Sequence, residues 1–377
     1  MKKIMNFTLF LFLGLCAMAQ LPVLTVEQQL EDYDFAVKYI EDNYSGFPNK
    51  VVESTRADYE AMKTRLRNQI AKNGRYGFHA VTEYTGWFND FHLRLGANFI
   101  DSDGQWKRYS TDQFIKREKV DYNGLMDLYQ PSAVAYKVTD KTFLIRLPSC
   151  EGNPDIKWVK NSIKEFKKSH CENLVIDIRG NSGGSDGIWE PYLKLLYDHE
   201  TQLPGVEFRN TPQNIASMKS EGGFQKSLIN RMSSSPEIEY VGSPLIQIQL
   251  KNKDKAVRQA AIIIDNVVAS AGEQMVRTIK ACSSRTRIFG KDNTSGCLDY
   301  SNLSVLELPN SQFYLLCPKS RICGLPETSI DATGIAPDVR IDATGIAPDV
   351  RIDLPLPAKL TDNVDEWVIW VAEQLEK

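Results

Sequence analysis

The sequence predicts an α/β domain preceded by a small helical region. From Phe143 onward, short apolar strands alternate with amphipathic helices, which is the pattern of an α/β core. Earlier in the chain, apolar residues such as Leu30, Tyr33 and Val37 recur at three- and four-residue steps, which indicates helices. Two apolar strands end in turns of small residues that lead into helices, and we expect the chemistry of the protein at these turns.

The first 19 residues have the pattern of a secretory signal peptide. Lys2 and Lys3 precede the apolar run 7–15, and small residues at 17–19 suit cleavage before Gln20. Lipid attachment at Cys16 is disfavoured because the bulky Leu15 precedes it. No later stretch of the sequence is long and apolar enough to be a transmembrane helix. We therefore expect export, to a periplasm or to the outside of the cell.

The remaining chain divides into three regions by its patterning. We predict a helical region over 20–95, irregular chain with a strand or two over 96–140, and the α/β domain over 141–377. The polar stretch 201–242 is predicted to be an irregular excursion from that domain. An 11-residue segment beginning at Ile330 is repeated without change at 341–351, and two copies are too few for a repeat fold. We expect one copy to occupy the place in the fold and the other to form a loop.

Within these regions the periodicity predicts individual elements. The helical region should contain helices within 27–72, among them one at 55–70, and another near 80–91. The predicted strands of the α/β domain are 143–147, 174–178, 245–250, 261–264, 288–289, 304–308 and 313–317. Its predicted helices are 156–168, 188–197, 271–281 and 364–375.

Composition excludes several function classes. The chain has 377 residues, of which 42% are hydrophobic and 25% charged, with a net charge of −3. This balance is that of a folded protein without the concentrated basic surface that nucleic acid requires. Six cysteines follow the predicted signal peptide and include no CxxC pair, so a zinc site is not expected. In an exported protein they could form disulfides or remain buried thiols.

Two turns carry the candidate chemistry. In the first, 177–184, three glycines allow close backbone approach, and successive N–H groups could bind an anion. In the second, 261–273, Ser270 lies where a strand turns into a helix, next to backbone N–H groups that could stabilise an oxyanion. Each turn also has a purely structural interpretation, a tight connection in the first case and a helix-capping serine in the second.

Taken together, the motifs resemble a known family of serine peptidases, the carboxyl-terminal processing (tail-specific) proteases and the tricorn protease core. The matching stretches, in order along the chain, are FNDFHLRL (88–95), LVIDIRGNSGG (174–184), IIIDNVVASAGE (262–273), IFGKDNTSG (288–296) and TGIAPDV (333–339 or 344–350). This resemblance implies a crotonase- and ClpP-like catalytic domain and serine-type hydrolysis of peptide bonds, with no metal or organic cofactor.

The resemblance also implies roles for particular residues. Ser270 corresponds to the nucleophile, and the N–H groups of Ala271 and Gly184 correspond to the oxyanion hole. Processing-type members use a lysine as the general base, but here the matching stretch ends in Cys297, and Lys291 is a weak substitute. Tricorn-like members instead use an upstream histidine, and the resemblance places His92 in that role.

A carboxylate is expected to orient the histidine. In tricorn-like members it precedes the Gly-Val/Ile-x-Pro-Asp motif, which the repeat makes ambiguous between Asp331 and Asp342. We favour Asp331, since it is closer to Ser270 in sequence, with Glu327 as a further alternative. The expected function is that of an exported serine endopeptidase with a polypeptide substrate. The alternative is a protein of the same fold that binds an apolar ligand without hydrolysis. The sequence gives no oligomeric state.

Overall fold

A computed structural model describes residues 23–74, 76–100, 106–110, 132–251, 254–290, 293–331, 350–351 and 365–377. The predicted signal peptide, Lys291, Asp342 and most of the 11-residue repeat lie outside these described residues. The predicted α/β class is confirmed.

Four helices occupy the beginning of the described chain. They are α1 (Val26–Asn43), α2 (Phe47–Lys50), α3 (Glu53–Lys72) and α4 (Gly77–Trp87). Thr25 Oγ1 caps α1 by accepting a hydrogen bond from the Gln28 N–H, and Gln28 Oε1 accepts one from the Thr25 N–H, which fixes where the helix begins. The helices bury an aromatic core that includes Tyr33, Tyr59 and Tyr84.

This helical layer packs against an antiparallel sheet. The sheet has the order β2-β1-β13-β7-β8, with β12 paired to β13. Its strands are β1 (Arg94–Ile100), β2 (Trp106–Ser110), β7 (Val206–Arg209), β8 (Tyr240–Gly242), β12 (Tyr300–Glu307) and β13 (Tyr314–Ile322). Leu95, Leu315 and Cys317 of the sheet belong to the same buried cluster as the aromatic core of the helices.

The second sheet is mostly parallel and positions the candidate turns. Its order is β14-β11-β10-β5-β4-β3, and only the β3–β4 pair is antiparallel. The strands are β3 (Val134–Lys137), β4 (Thr142–Arg146), β5 (Asn173–Asp177), β10 (Gln259–Ile263), β11 (Thr286–Gly290) and β14 (Val350–Arg351). β5 and β10 are parallel neighbours, so their carboxyl ends meet at one edge of the sheet.

Helices cover both faces of this sheet, which explains why its strands are continuously apolar. The helices α5 (Ile156–Ser169), α6 (Asp186–Leu196) and α9 (Ala271–Cys282) share one buried cluster with the sheet. On the opposite face, α10 (Glu366–Glu376) buries Trp367, Val371 and Leu375. Buried Arg179 donates to both Asp177 and Asp365, which ties the beginning of α10 to the end of β5.

The stretch 201–242 is not irregular, which corrects the sequence prediction. It contains β6 (Thr201–Pro204), β7, α7 (Pro212–Glu221), α8 (Lys226–Ser234) and β8. Strands of three or four residues are too short to show a period, but α7 has a recognisable start: Thr211 caps it and Pro212 occupies its first position. β9 (Leu245–Ile248) pairs with β6 in a separate two-stranded sheet.

Two other sequence questions have structural answers. All six cysteines of the described chain are free thiols, five of them buried. Among the described residues, no helix is both long enough and apolar enough to cross a membrane.

Candidate active site

The two small-residue turns lie against each other at the carboxyl edge of the parallel sheet. The Ala269 N–H donates to the Asn181 carbonyl over 3.1 Å, which joins the turn after β10 to the turn after β5. A Cβ placed on Gly183 would lie 2.7 Å from the Ser270 Cβ and 3.1 Å from the Ala271 N. Only glycine therefore allows the first turn to approach the serine this closely.

Ser270 lies at the amino end of α9 in a strained backbone conformation. Its φ is 51° and its ψ is −118°, a region that non-glycine residues rarely occupy. The Ser270 N–H donates to the Cys297 carbonyl over 3.1 Å and to Glu273 Oε2 over 3.2 Å. Such strain persists where surrounding contacts enforce it, and it is concentrated at active sites.

Glu273 is the buried carboxylate that joins α9 to the segment around Cys297. One of its oxygens accepts from Thr294 Oγ1 and from the Gly296 N–H, and the other from the N–H groups of Cys297 and Ser270. Burial raises the pKa of Glu273. With both oxygens used in this way, Glu273 has a structural role.

His92 contacts the hydroxyl of Ser270. It lies between α4 and β1, where Asp90 Oδ1 accepts its backbone N–H over 2.9 Å. His92 Nε2 is 3.1 Å from Ser270 Oγ, and Nδ1 is 2.6 Å from the carbonyl oxygen of Tyr300. The structure thus brings together the two residues to which the sequence analysis assigns nucleophile and base.

These two contacts determine the tautomer of His92. A carbonyl oxygen can only accept a hydrogen bond, so the short contact with Tyr300 requires a proton on Nδ1. In the neutral ring, Nε2 then carries the lone pair, and the Ser270 hydroxyl donates to it. This is the arrangement that a serine nucleophile needs from a general base.

Asp331 contacts the backbone next to Tyr300. Its Oδ1 accepts the N–H groups of Leu298 and Asp299, immediately before Tyr300 in the chain. Its Oδ2 is buried and has no hydrogen-bond partner. Burial and the negative charges of Asp299 and Asp90 raise the pKa of Asp331 well above its ordinary value. Asp331 therefore holds the backbone just before Tyr300, whose carbonyl contacts His92.

Cys297 occupies the position at which processing-type members have lysine. Its buried sulfur is 3.4 Å from His92 Nδ1. Burial, and to a smaller extent the nearby carboxylates, raise the pKa of the thiol well above its ordinary value. Since Nδ1 donates to Tyr300, the sulfur is at most a second, weak acceptor. The backbone of residue 297 is engaged more strongly than its side chain, with Ser270 and Glu273.

Two backbone amides, one in each turn, are available as hydrogen-bond donors. Among the described residues, the N–H groups of Gly184 and Ala271 donate to no protein atom, whereas the N–H of the preceding Gly183 donates to Asn181 Oδ1. Ala271 is the first residue of α9, so its N–H is one of the unpaired donors of a helix amino terminus. Both residues are those to which the resemblance assigns the oxyanion hole.

Several other contributors could not be identified from the sequence. The Asn181 carbonyl accepts the Ala269 N–H of the other turn, while its side chain accepts from the Gly183 N–H within its own turn and donates to the Leu147 carbonyl. Asp265 accepts the N–H groups of Gly180, Val267 and Val268, and burial raises its pKa to about 6. An aspartate directly after an apolar strand is the only signal for Asp265. Glu327, the further alternative for the acid, is exposed.

Comparisons with known proteins identify the family. A family model described as peptidase family S41 matches residues 141–341, more than half of the chain. The chain belongs to peptidase family S41. It is a serine peptidase, and the resemblance inferred from the sequence motifs is confirmed. No curated protein sequence matches it significantly.

Solved structures show the same fold at low identity. A putative peptidase from Parabacteroides merdae ATCC 43184 superposes with a TM-score of 0.57 at 14% identity, covering 94% of this chain and 98% of that one. Mature CPAF superposes with a TM-score of 0.56 at 12% identity, covering 93% of this chain and 96% of that one. At these identities the similarity concerns the fold.

Proposed function

We propose that this S41 peptidase is an exported endopeptidase that cleaves polypeptides with Ser270 as nucleophile and His92 as general base. The observation that carries the proposal is the 3.1 Å contact between Ser270 Oγ and His92 Nε2, in the tautomer that makes Nε2 the acceptor. The proposal includes a crotonase- and ClpP-like catalytic domain over 141–377. It also places the protein in the branch of the family that uses histidine.

The first chemical step is attack on the peptide carbonyl. The Ser270 hydroxyl proton passes to His92 Nε2 as Oγ bonds to the carbonyl carbon. Negative charge then develops on the former carbonyl oxygen, and the N–H groups of Gly184 and Ala271 are the donors we assign to it. Their position at a helix amino terminus adds the favourable end of the helix dipole.

Collapse of this intermediate breaks the C–N bond. The proton on Nε2 passes to the leaving amine, which leaves an acyl-enzyme on Ser270. Water then attacks the ester and gives its proton to Nε2, and a second collapse releases the acid and restores the serine. Apart from the substrate and the attacking water, every group that acts in this sequence is a side chain or a backbone N–H of this chain.

When His92 becomes positively charged, the group in direct contact with its Nδ1 is the backbone carbonyl of Tyr300. We propose that Tyr300 O fixes the ring and that Asp331 supports it through the amides of residues 298 and 299. Asp331 is thus a positioning residue in this proposal. The buried carboxylates of Asp90, Asp299 and Asp331 give the surroundings a negative character when they are ionised.

Covalent labelling tests the proposal. A serine-directed phosphonate should label Ser270 in the wild type, with the labelled peptide located by mass spectrometry. Ser270→Ala should abolish labelling, and His92→Ala should slow it by at least about a thousandfold, since an unactivated serine is a poor nucleophile. His79→Ala is the matched control, because His79 lies on α4 and has no part in the contact with Ser270.

Two outcomes would contradict the proposal. Labelling that survives His92→Ala unchanged would show that another group activates the serine. Failure of folded wild-type protein to react with the phosphonate, together with no cleavage of an unfolded polypeptide, would favour the apolar-ligand alternative. Export is tested separately, by the amino-terminal sequence of the protein recovered from the native cells, which should begin at Gln20.

A further inference from the structure

Tyr44 is a buried tyrosine immediately after α1 whose hydroxyl reaches the surroundings of His92. The hydroxyl donates to Asp90 Oδ2 over 2.7 Å, and Asp90 is buried as well. The other oxygen of Asp90 accepts the His92 N–H over 2.9 Å. One carboxyl group therefore joins the Tyr44 hydroxyl to the backbone of His92.

The ring of Tyr44 contacts the second residue that holds His92. Its centroid lies 5.6 Å from that of Tyr300, whose backbone carbonyl is the acceptor for His92 Nδ1. The same ring packs edge-on against Phe88, with 5.4 Å between the centroids. Asp90 holds the backbone of His92 and Tyr300 holds its ring, so Tyr44 contacts both of the residues that determine where Nε2 lies.

The space for the Tyr44 hydroxyl depends on a glycine. A Cβ placed on Gly46 would overlap the hydroxyl oxygen and the ring of Tyr44. The φ of Gly46 is −85° and its ψ is −11°, which residues with a side chain also adopt. Packing, and not backbone conformation, is therefore the reason for glycine at this position. An added methyl group should move the hydroxyl away from Asp90 without changing Tyr44 itself.

The backbone around Tyr44 is held by side chains of the region 201–242. Carbonyl groups at the carboxyl end of a helix lack partners within the helix. Here the carbonyls of residues 43, 44 and 45 accept, in that order, from Asn214 Nδ2 over 3.0 Å, Arg209 Nη1 over 2.8 Å and the Tyr240 hydroxyl over 2.6 Å. These three hydrogen bonds fix the backbone from which the Tyr44 side chain extends.

We propose that Tyr44 is a positioning residue for the general base. Its hydroxyl orients the Asp90 carboxyl group that accepts from the His92 backbone, and its ring packs against Tyr300, whose carbonyl holds the His92 ring. Tyr44 thereby keeps Nε2 within reach of the Ser270 hydroxyl. This inference rests on the proposed function, because it assigns a role to Tyr44 only if His92 is the base.

Removal of the hydroxyl alone separates this role from packing. Tyr44→Phe keeps the ring but leaves one oxygen of Asp90 without this donor, so His92 should occupy its productive orientation for less of the time. We expect kcat for a polypeptide substrate to fall by about tenfold, with KM changed by less than about twofold. Tyr192→Phe is the matched control, since it removes a buried hydroxyl that contacts Ser162 of α5. It should lower stability to a similar extent and keep the wild-type kcat.

A double-mutant cycle tests the route through Asp90. If the Tyr44 hydroxyl acts on His92 through this carboxyl group, it has nothing to orient once the group is removed. In an Asp90→Ala background, Tyr44→Phe should therefore lower kcat by less than about a further twofold.

Gly46→Ala displaces the hydroxyl by an independent route. The added methyl group should lower kcat by at least about tenfold, again with little change in KM. Gly86→Ala is the control, since nothing lies within 4 Å of the added atom, and it should leave kcat unchanged.

Three results would overturn the inference and leave the proposed function standing, provided that labelling of Ser270 still requires His92. The first is a wild-type kcat in both Tyr44→Phe and Gly46→Ala. The second is an equal loss of kcat in Tyr192→Phe, which would show a general effect on the fold. The third is an equal effect of Tyr44→Phe with and without Asp90→Ala, which would exclude the route through Asp90. Labelling of Ser270 that is independent of His92 would instead remove the proposed function, and this inference with it.

Discussion

Ser270 and His92 meet in one site, but the protein holds them in different ways. Ser270 ends the turn after β10 and is held in its strained conformation by the adjacent Gly-rich turn and by Glu273 on the same helix. His92 comes from a connection 178 residues earlier, between the helical layer and the antiparallel sheet. Its ring is fixed by the backbone of Tyr300, 208 residues away in sequence.

The difference predicts two kinds of sensitivity. The nucleophile depends on close backbone packing, in which one added methyl group would clash with neighbouring atoms. The base depends on a chain of polar contacts: Asp331 accepts from the amides of residues 298 and 299, and the Tyr300 carbonyl accepts from the His92 ring. A substitution that keeps a hydrogen-bond acceptor in this chain should keep part of the activity. Substitutions that disturb the packing around Ser270 should therefore abolish most of the activity at once. Substitutions in the contacts that hold His92 should reduce the activity by degrees.

The largest effect should come from Gly183→Ala. The added Cβ would lie 2.7 Å from Ser270 Cβ, at a φ of 109° that disfavours any side chain. We expect kcat/KM to fall by about a hundredfold to a thousandfold, comparable to the loss of an oxyanion donor. Gly223→Ala is the control, since its φ is 80° but nothing lies within 4 Å of the added atom. Equal activity of the two variants would show that the two turns need not touch.

A stepwise loss is expected at Asp331. Asp331→Ala removes the acceptor for the Leu298 and Asp299 amides, so we expect kcat to fall by about ten- to a hundredfold with little change in KM. Asp331→Asn keeps an acceptor and should retain most of the activity near neutral pH. Kinetics of both variants, with exposed Glu327→Ala as control, provide the measurement. If Asn were as damaging as Ala, the charge of Asp331 would have to act on His92 directly.

Asp265 should affect stability with a definite dependence on pH. Burial raises its pKa from 3.8 to about 6, so the folded state binds this proton more tightly than the unfolded state does. The contribution is present below pH 3.8 and is lost as the pH rises through 6. The unfolding free energy of the wild type relative to Asp265→Asn should therefore fall between pH 4 and 7, by at most about 3 kcal/mol. Urea unfolding at several pH values measures it, and a difference that rises with pH would refute the assignment.

The smallest effect is predicted for the Cys297 side chain. Its sulfur lies near His92 Nδ1, but that nitrogen already donates to Tyr300, and the essential contacts of residue 297 come from its backbone. Cys297→Ala should therefore change kcat/KM by less than about threefold. A loss comparable to that of His92→Ala would show instead that the thiol takes part in proton transfer.

The same contrast explains what the sequence could predict. Ser270 and the Gly-rich turn each lie within a short stretch after an apolar strand, so local pattern locates them. His92 required the family resemblance, because nothing in its local sequence brings it to Ser270. The Tyr300 carbonyl could not be predicted at all, since it is a backbone group with no residue-type signal. Its role depends on how β12 begins opposite a connection 208 residues away.

Short secondary-structure elements also limit what can be predicted from the sequence. The strands within 201–242 have three or four residues and no readable period, so this stretch was predicted to be irregular. The order of the parallel strands also follows from packing between distant segments. The continuously apolar strands and the amphipathic helices of the α/β region, by contrast, carry their pattern in their own residues, and the sequence predicts them closely.

The most direct test of this account is the protonation of the His92 ring in the resting enzyme. Nitrogen NMR of histidine-labelled protein, with His92 assigned by comparison with His92→Gln, distinguishes the two ring nitrogens. We predict a neutral ring with the proton on Nδ1, strongly hydrogen-bonded, and a lone pair on Nε2. A neutral ring with the proton on Nε2 would leave Ser270 without a base and would contradict the proposed roles of both Tyr300 and His92.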